Sequence, residues 1–294
     1  MTWEEWVSFV KILAPLTGAP RDAAVLTSAV SMALPFGAHV RGLFVRADPA
    51  LAMPFYGEAM SGLVVQEVVD ASKESGDIAA GAARAALAAV ARGADLAMTE
   101  HCEKRDAPTI SLREVMGNFA DCVRQAAKLC DLVVFSAPKD DERAGLSEAI
   151  EAVLLEARRP VLLSAKPVAP GFHEHIAIGW NASVESAQAV SAALPLLERA
   201  KSVTVLAVER PDAPCADCGE LSGYLSLHGV ACAVETFKAG ERPVADVLCE
   251  RATAAGARLL VLGGYGHSRW RELFVTSTTR QAIAHADMPL FLVH

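Results

Sequence analysis

The sequence predicts an α/β protein of two tandem doubly wound domains, each a five-stranded, mainly parallel sheet with helices on both faces. Three observations support this fold class. The chain has 294 residues, which suits two domains of about 150 residues each. Its composition is 52% hydrophobic but only 6% aromatic, as expected for valine-rich strands covered by alanine-rich helices. The third observation is an internal repeat of strand and helix patterns.

The repeat begins with the same three elements in each half of the chain. A short apolar run ends in turn residues, an alanine-rich amphipathic stretch follows, and a β-branched run comes third. These patterns predict a strand, a helix and a parallel strand, joined by a right-handed crossover. In the first half the three elements are Ile12–Ala19, Arg21–Pro35 and His39–Val45, and in the second half they are Ile176–Ser183, Val184–Arg199 and Ser202–Val208.

The two halves also match in their third strand, their third helix and their closing elements. The third strands are predicted at Ser111–Val115 and Ala231–Phe237, and the third helices at Asn118–Leu129 and Pro243–Ala255. Each half then closes with a strand, a helix and a strand. The closing strands are Asp131–Phe135 with Arg159–Leu163, and Arg258–Leu262 with Met288–Val293.

A linker separates the two predicted domains. Lys166–Gly171 contains two prolines and a glycine, a composition that is typical of a domain boundary. The domains are therefore predicted at residues 1–166 and 172–294.

The first half carries an additional stretch at residues 48–97, with apolar residues at helical spacing. One interpretation is a lid or partner-binding arm that presents Met53-Pro54-Phe55-Tyr56. The other is a longer second helix whose lead-in loop packs on the sheet. We favour the second interpretation, because amphipathic helices usually cover cores.

Charge and hydropathy exclude several classes of function. The net charge is −8 and the isoelectric point is near 5.5, which argues against nucleic acid as a partner. No run approaches the roughly 20 apolar residues of a membrane helix. The start of the chain lacks a secretory signal pattern, so a cytoplasmic location without membrane contact is expected.

The seven cysteines are scattered, which does not predict a disulfide framework. Cys215 and Cys218 form the one pair at metal-like spacing, in a connection rich in proline and aspartate. A zinc or redox site would need further ligands or a position that opens a helix after a strand. No resident metal is therefore predicted.

The most promising segment for ligand binding follows the fourth strand of the second half. Parallel α/β sheets bind ligands at the carboxyl ends of their strands, and there the chain reads Gly263-Gly264-Tyr265-Gly266-His267-Ser268-Arg269-Trp270-Arg271. Glycines let backbone amides approach a phosphate, and a helix N-terminus adds partial positive charge. His267, Arg269 and Arg271 would add side-chain cations.

This loop resembles the nucleotide loop of the universal stress protein family, whose pattern is G-x2-G-x9-G-S/T. Gly263 and Gly266 match it, and Ser277 matches the hydroxyl position. The closing strand Met288–Val293 resembles that of the family, and the order of elements extends the resemblance over nearly the whole chain as two copies. Thr276 departs from the pattern, because it stands where a glycine is expected.

The resemblance implies an adenine nucleotide site in the second half. Asn181 stands at the end of the first strand, where nucleotide-binding members usually carry aspartate, and Val208 matches a position whose backbone contacts adenine. The implied binding residues are Asn181, Val208, Gly263, Gly266, His267, Ser268, Arg269, Thr276, Ser277 and Thr278.

The first half is expected not to bind a nucleotide. Thr17 replaces the acid of the first strand. The loop after the fourth strand, which begins at Ser136, carries three consecutive carboxylates at residues 140–142. Carboxylates at the place of a polyphosphate would repel it.

The resemblance implies a stress-response protein that is not an enzyme, binds ATP with its accompanying Mg²⁺ in the second domain, and acts through protein partners. The two halves are expected to pair through Val161–Leu163 and Leu290–Leu292, and a homodimer is a further expectation. Two alternatives stay open. One is a nucleotide-free interaction scaffold, and the other is a slow ATP hydrolase or autophosphorylating protein that uses Ser268, Ser277 or Thr278.

Other nucleotide and catalytic motifs are missing from the sequence. It contains no phosphate-loop motif G-x-x-x-x-G-K-S/T, no G-x-G-x-x-G after the first strand, and no G-x-S-x-G nucleophile elbow. A phosphate-loop NTPase, a dinucleotide dehydrogenase and a serine hydrolase are therefore disfavoured.

Overall fold

The structure is a computed structural model that describes residues 8–48, 62–100, 107–137, 145–209, 217–238, 240, 242–264 and 288–294. The chain forms two compact units. The N-terminal unit consists of Val10–Val134 and Asp141–Ala157, and the C-terminal unit of Met1–Phe9, Phe135–Asp140 and Arg158–His294, so far as those residues are described.

The strands of the N-terminal unit lie in the order β3-β4-β2-β1-β5, all parallel. They are β1 (Lys11–Leu16), β2 (His39–Arg46), β3 (Ala97–Met98), β4 (Thr109–Met116) and β5 (Leu132–Ser136), the last pairing with β1 through Leu132 and Val133. The predicted third strand is therefore confirmed as β4. The two-residue strand β3 was not predicted, because two residues carry no periodicity.

The described residues of the N-terminal unit form four α-helices: α1 (Asp22–Ala33), α2 (Gly62–Gly93), α3 (Phe119–Ala127) and α4 (Leu146–Leu155). A 3-10 turn, Leu34–Phe36, continues α1. Helix α1 packs against α2, and α3 packs against α4. Members of both pairs also contact β2. This arrangement is the doubly wound fold that the sequence predicts.

The additional stretch of the first half forms the single helix α2 from residue 62 onward. Its side chains at Ala80, Ala83, Leu87 and Ala91 are buried, at the three- and four-residue spacing of one helix face. This part of the stretch covers the sheet, as the favoured interpretation holds. Residues 49–61, which include Met53-Pro54-Phe55-Tyr56, lie outside the described residues.

The C-terminal unit repeats the same strand order. Its strands lie in the order β6-β11-β10-β7-β8-β9, and all pairs are parallel except β6 with β11. They are β6 (Val161–Ser164), β7 (His175–Trp180), β8 (Ser202–Glu209), β9 (Cys232–Lys238), β10 (Leu259–Gly263) and β11 (Leu290–Val293). The order β9-β8-β7-β10 matches β4-β2-β1-β5 of the N-terminal unit, which confirms the repeat.

Three described helices accompany these strands: α5 (Val184–Leu197), α6 (Cys218–Leu227) and α7 (Val244–Ala254). Helix α5 packs on β7, β10 and β11, helix α6 on β9, and helix α7 on β8. A short 3-10 turn, Phe172–Glu174, leads into β7. The predicted fourth helix, beginning near Ser277, lies outside the described residues.

The predicted pairing of the two closing strands is confirmed. Strands β6 and β11 run antiparallel, with Leu163 opposite Leu290, Leu162 opposite Phe291 and Val161 opposite Leu292. All six side chains are buried. Phe9 also packs on Phe291, with ring centroids 6.2 Å apart. Strand β6 and Phe9 are thus part of the C-terminal unit, although the sequence assigns both to the first half, and the domain boundary at 166–172 stays a prediction.

Every helix within the described ranges is too short or too polar to span a lipid bilayer.

Candidate functional site

The candidate site lies at one edge of the C-terminal unit, where the parallel strands β8, β7 and β10 end. We call this edge the carboxyl edge. Trp180 pairs with Ala207 on β8, and Leu262 pairs with Gly179 on β7. By the same register Val208 lies level with Asn181, and Gly263 lies level with Trp180, one residue before Asn181. Three residues that are far apart in the sequence meet at the edge where ligands of parallel sheets bind.

Gly263 lies directly against the first turn of α5. A Cβ at this position would overlap the backbone carbonyl of Glu185 and the backbone nitrogen of Ser186. Only glycine permits this approach, because any side chain would push the helix away from the strand. Gly263 therefore places the start of the loop that follows β10 beside the N-terminus of α5.

Local hydrogen bonds fix the turn between β7 and α5. The side-chain oxygen of Asn181 accepts a hydrogen bond of 3.1 Å from the backbone N–H of Ser183. The Ser183 hydroxyl oxygen in turn accepts one of 3.1 Å from the N–H of Ser186, as a helix N-cap. Between them, Ala182 has a φ of 57°. The turn holds the positive end of the α5 dipole at the carboxyl edge.

Trp180 connects the carboxyl edge to α6. Its indole N–H donates a hydrogen bond of 3.3 Å to the backbone oxygen of Asp217. The Asp217 carboxylate caps α6 by accepting from the N–H groups of Gly219 and Glu220 at 2.9 and 3.1 Å. The start of α6 is therefore tied to the end of β7, beside Asn181. No local sequence pattern predicts this contact, which depends on tertiary structure.

Of the ten residues implied by the resemblance, the structure brings three together: Asn181, Val208 and Gly263. The other seven lie outside the described residues, and they are Gly266, His267, Ser268, Arg269, Thr276, Ser277 and Thr278. Their participation stays a prediction.

The matching edge of the N-terminal unit is built differently, around Asp22. Counted from the ends of β1 and β7, Thr17 matches Asn181, Gly18 matches Ala182, and Asp22 matches Ser186. The Asp22 side chain is buried. Its carboxylate accepts hydrogen bonds from the Thr17 N–H at 2.9 and 3.2 Å, from the Thr17 hydroxyl at 3.1 Å and from the Gly18 N–H at 2.7 Å.

Asp22 is not among the residues singled out from the sequence, because the expectation that the first half binds no nucleotide rests there on Thr17 and on the carboxylates at residues 140–142. Residues 140–142 lie outside the described part of the chain. A signal was available, because Asp side chains commonly accept hydrogen bonds from backbone N–H groups a few residues away in the chain.

Helix α2 covers the same edge of the N-terminal unit. A Cβ on Gly18, whose φ is 80°, would come within 2.6 Å of the backbone oxygen of Ala79. Arg46, at the end of β2, forms an ion pair of 2.6 Å with Asp77 on α2. These contacts place the helix against the ends of β1 and β2.

A second ion pair fastens α2 to β4. Arg84 binds Glu114 through two hydrogen bonds of 2.5 and 3.1 Å. The hydrogen bond from Arg84 holds the pKa of Glu114 below its ordinary value, despite the opposing effect of burial. Helix α2 therefore contacts the strands by charged contacts as well as by its apolar face.

Of the cysteine pair Cys215 and Cys218, only Cys218 lies in the described part of the chain. Cys218 is the first residue of α6, which follows β8 in the chain, so it does open a helix after a strand. Cys215 lies outside the described residues. Within the described part of the chain, no group of three His, Cys, Asp or Glu side chains is arranged to hold a metal ion.

Comparison with known proteins supports the assignment of the fold. Residues 228–294 match the model of the universal stress protein family, a segment that includes the glycine-rich loop. The structure resembles a universal stress protein from Archaeoglobus fulgidus with a TM-score of 0.63 at 13% identity, covering 96% of this chain and 95% of that one. It also resembles a functionally unknown protein from Pseudomonas aeruginosa with a TM-score of 0.52 at 11% identity, covering 97% and 92%.

No curated protein sequence matches the chain significantly. The two structural likenesses have low sequence identity and establish the fold. The family match adds the sequence evidence for the last quarter of the chain. The resemblance to the universal stress protein family is thus confirmed: residues 228–294 match the model of that family, and the chain over nearly its whole length has the fold of a solved universal stress protein.

Proposed function

We propose that the chain is a stress-response protein that binds one adenine nucleotide, ATP, at the carboxyl edge of its C-terminal unit and acts through protein partners. One observation carries the proposal. The end of β10 at Gly263 touches the first turn of α5, so a glycine-rich loop begins beside a helix N-terminus. This combination favours the binding of phosphate groups.

The described residues fit an adenine nucleotide at two further points. Asn181 keeps one side-chain oxygen in the turn, and its amide N–H groups are donors suited to a purine or ribose acceptor. The backbone of Val208, at the end of β8, lies on the neighbouring strand, within the same edge. In this proposal Gly266, His267, Ser268, Arg269, Thr276, Ser277 and Thr278 surround the phosphates, and Mg²⁺ enters with ATP.

The pairing of β6 with β11 bears on the proposed partners. In this chain the edge of the last strand β11 is occupied by β6, so a second copy cannot add to it there. A homodimer, if formed, would use another surface. We propose that the partners are proteins met in the cytoplasm, with neither nucleic acid nor membrane involved.

The proposal is tested by isothermal titration of the full chain with Mg·ATP, comparing Asn181→Ala with the matched variant Thr17→Ala of the other unit. The parent is expected to bind one equivalent. Asn181→Ala should weaken binding about fivefold, since one hydrogen bond to a ligand contributes on the order of 1 kcal/mol. Thr17→Ala should leave the affinity within about twofold, because its turn lies in the unit that is expected not to bind.

The two alternative functions give different results in the same experiment. A nucleotide-free scaffold would show no heat of binding with the parent chain, and this result would overturn the proposal. A slow hydrolase or autophosphorylating protein would bind ATP and release ADP during prolonged incubation. Such turnover would extend the proposed function from binding to catalysis.

A further inference from the structure

We infer that the Asp22 carboxylate takes the place of a ligand anion and so prevents a phosphate-bearing ligand from binding in the N-terminal unit. The residue at this position, Asp22 in one half and Ser186 in the other, then decides which half of the chain accepts such a ligand. The inference rests on the proposed function for the C-terminal unit. It adds the residue responsible for the difference between the two halves.

The surroundings of the Asp22 carboxylate are those of a bound anion. Two backbone N–H groups and one hydroxyl, from Thr17 and Gly18, converge on its oxygens at 2.7 to 3.2 Å. The side chain is buried, with 2% of the residue exposed. Hydrogen bonds to a charged acceptor are stronger than those to a neutral one. The donors of this turn, on Thr17 and Gly18, are therefore firmly bound to the Asp22 carboxylate.

The matching position of the C-terminal unit holds no charge. Ser186 is equally buried, with 3% exposed, but its hydroxyl donates a hydrogen bond of 2.9 Å to the backbone oxygen of Ser183. It therefore completes the N-cap of α5 and places no carboxylate in the turn formed by Asn181 and Ala182. Both turns have a left-handed residue at the same place, Gly18 with φ 80° and Ala182 with φ 57°, so the two turns share a backbone shape.

Charge explains why this one difference matters. A phosphate near the N-terminus of α1 would meet the Asp22 carboxylate within a turn whose donors already serve it. Two anions at this separation repel each other strongly in a partly buried site. In the C-terminal unit a phosphate would meet the partial positive charge of α5 without a buried carboxylate at Ser186.

Helix α2 adds a second closure in the N-terminal unit. The backbone of Ala79 lies against Gly18, and the salt bridge between Arg46 and Asp77 holds the helix there. Removal of the Asp22 carboxylate alone therefore leaves the N-terminal unit covered. For this reason the decisive test introduces a carboxylate at position 186 of the C-terminal unit.

The test compares Ser186→Asp with Ser186→Asn, two side chains of the same size that differ in charge, by titration with Mg·ATP. Asp22→Asn serves as the control in the opposite unit. We expect Ser186→Asp to bind ATP at least tenfold more weakly than Ser186→Asn, whereas Asp22→Asn keeps the affinity of the parent. Equal affinities for the two Ser186 variants, both folded by circular dichroism, would overturn the inference. A parent that binds no ATP would instead overturn the proposed function.

Amide hydrogen exchange tests the role of Asp22 without any nucleotide. The N–H groups of Thr17 and Gly18 should be protected in the parent and should exchange at least tenfold faster in Asp22→Ala, while the amides of β5 keep their protection. If Asp22→Ala unfolds the unit, so that β5 also exchanges, Asp22→Asn replaces it in the same comparison. Unchanged exchange at Thr17 and Gly18 in a folded variant would contradict the assignment of Asp22 as an internal anion.

Discussion

The backbone nitrogen of Ser186 lies where a side chain on Gly263 would begin. This contact joins the end of β10 to the first turn of α5. The start of the loop after β10 and the N-terminus of α5 therefore both depend on it for their positions in the candidate site. Glycine is therefore required at position 263 by the packing of β10 against α5, whether or not a ligand is bound.

Gly263→Ala should destabilise the C-terminal unit by about 1–3 kcal/mol, because the added methyl group forces the strand and the helix apart. The measurement is urea-induced unfolding followed by circular dichroism. Gly223→Ala in α6 is the matched control, since a Cβ there meets nothing within 4 Å and alanine favours a helix. Equal stability of the two variants would show that the contact between β10 and α5 is not as tight as described.

Phe9 should contribute to the stability of the C-terminal unit despite its distance in sequence. It is 4% exposed and packs on Phe291, whereas its neighbour Val10 is 66% exposed. We expect Phe9→Ala to cost about 3–5 kcal/mol and Val10→Ala about 0.5 kcal/mol or less. The measurement is thermal unfolding of both variants. If Phe9→Ala is no less stable than Val10→Ala, the packing of Phe9 on Phe291 is contradicted.

His39 should make the stability of the chain depend on pH. Its imidazole is buried and lies between the hydroxyls of Thr109 and Ser111, at 2.7 and 2.8 Å. Burial, followed by the nearby charges of Arg41 and Lys11, lowers its pKa from 6.5 to about 4. The unfolded chain therefore takes up a proton between about pH 6.5 and pH 4 that the folded chain does not.

The stabilising effect of neutral His39 is complete above pH 6.5 and is lost as the pH falls towards 4. The full contribution is about 3.5 kcal/mol, since the pKa of His39 falls from 6.5 to about 4 and each pKa unit corresponds to roughly 1.4 kcal/mol. Urea unfolding at pH 4.5, 5.5 and 7 should show a smaller change in stability for His39→Gln than for the parent. Identical pH profiles would indicate that His39 is protonated to the same extent in both states.

The glycine-rich loop can be tested from its sequence pattern. Thr276 stands where the nucleotide loop of the family has glycine, and a side chain there restricts φ and occupies space. Thr276→Gly should tighten ATP binding by about 1 kcal/mol, a several-fold gain, whereas Gly266→Glu should weaken it by placing a carboxylate near the phosphates. Titrations at fixed salt in which neither variant differs from the parent would remove this loop from the binding site.

Most of the fold could be predicted from local sequence patterns. The runs that became β1, β7, β8 and β10 are apolar and bounded by turn residues, so their period and length predict strands. The pairing of β6 with β11 is what the resemblance to the universal stress protein family implies, and the structure confirms it. The strand β3 could not, since two exposed residues acquire their role only from the neighbouring β4.

The candidate site could be predicted in position but only partly in detail. The rule for parallel sheets locates Asn181, Val208 and Gly263 at one edge, and the register brings them together there. The tight contact of Gly263 with α5, the bond from Trp180 to Asp217 and the burial of Asp22 depend on distances between elements. Sequence periodicity contains no information about such distances.

The most direct test of the central claim is hydrogen exchange of the full chain with and without saturating Mg·ATP, read by mass spectrometry. The account predicts slower exchange with ATP in peptides that contain Asn181, Val208 and Gly263, and no change in peptides that contain Thr17 and Ser136. Protection in the Thr17 and Ser136 peptides, or in neither set although ATP binds, would contradict a single nucleotide site at the carboxyl edge.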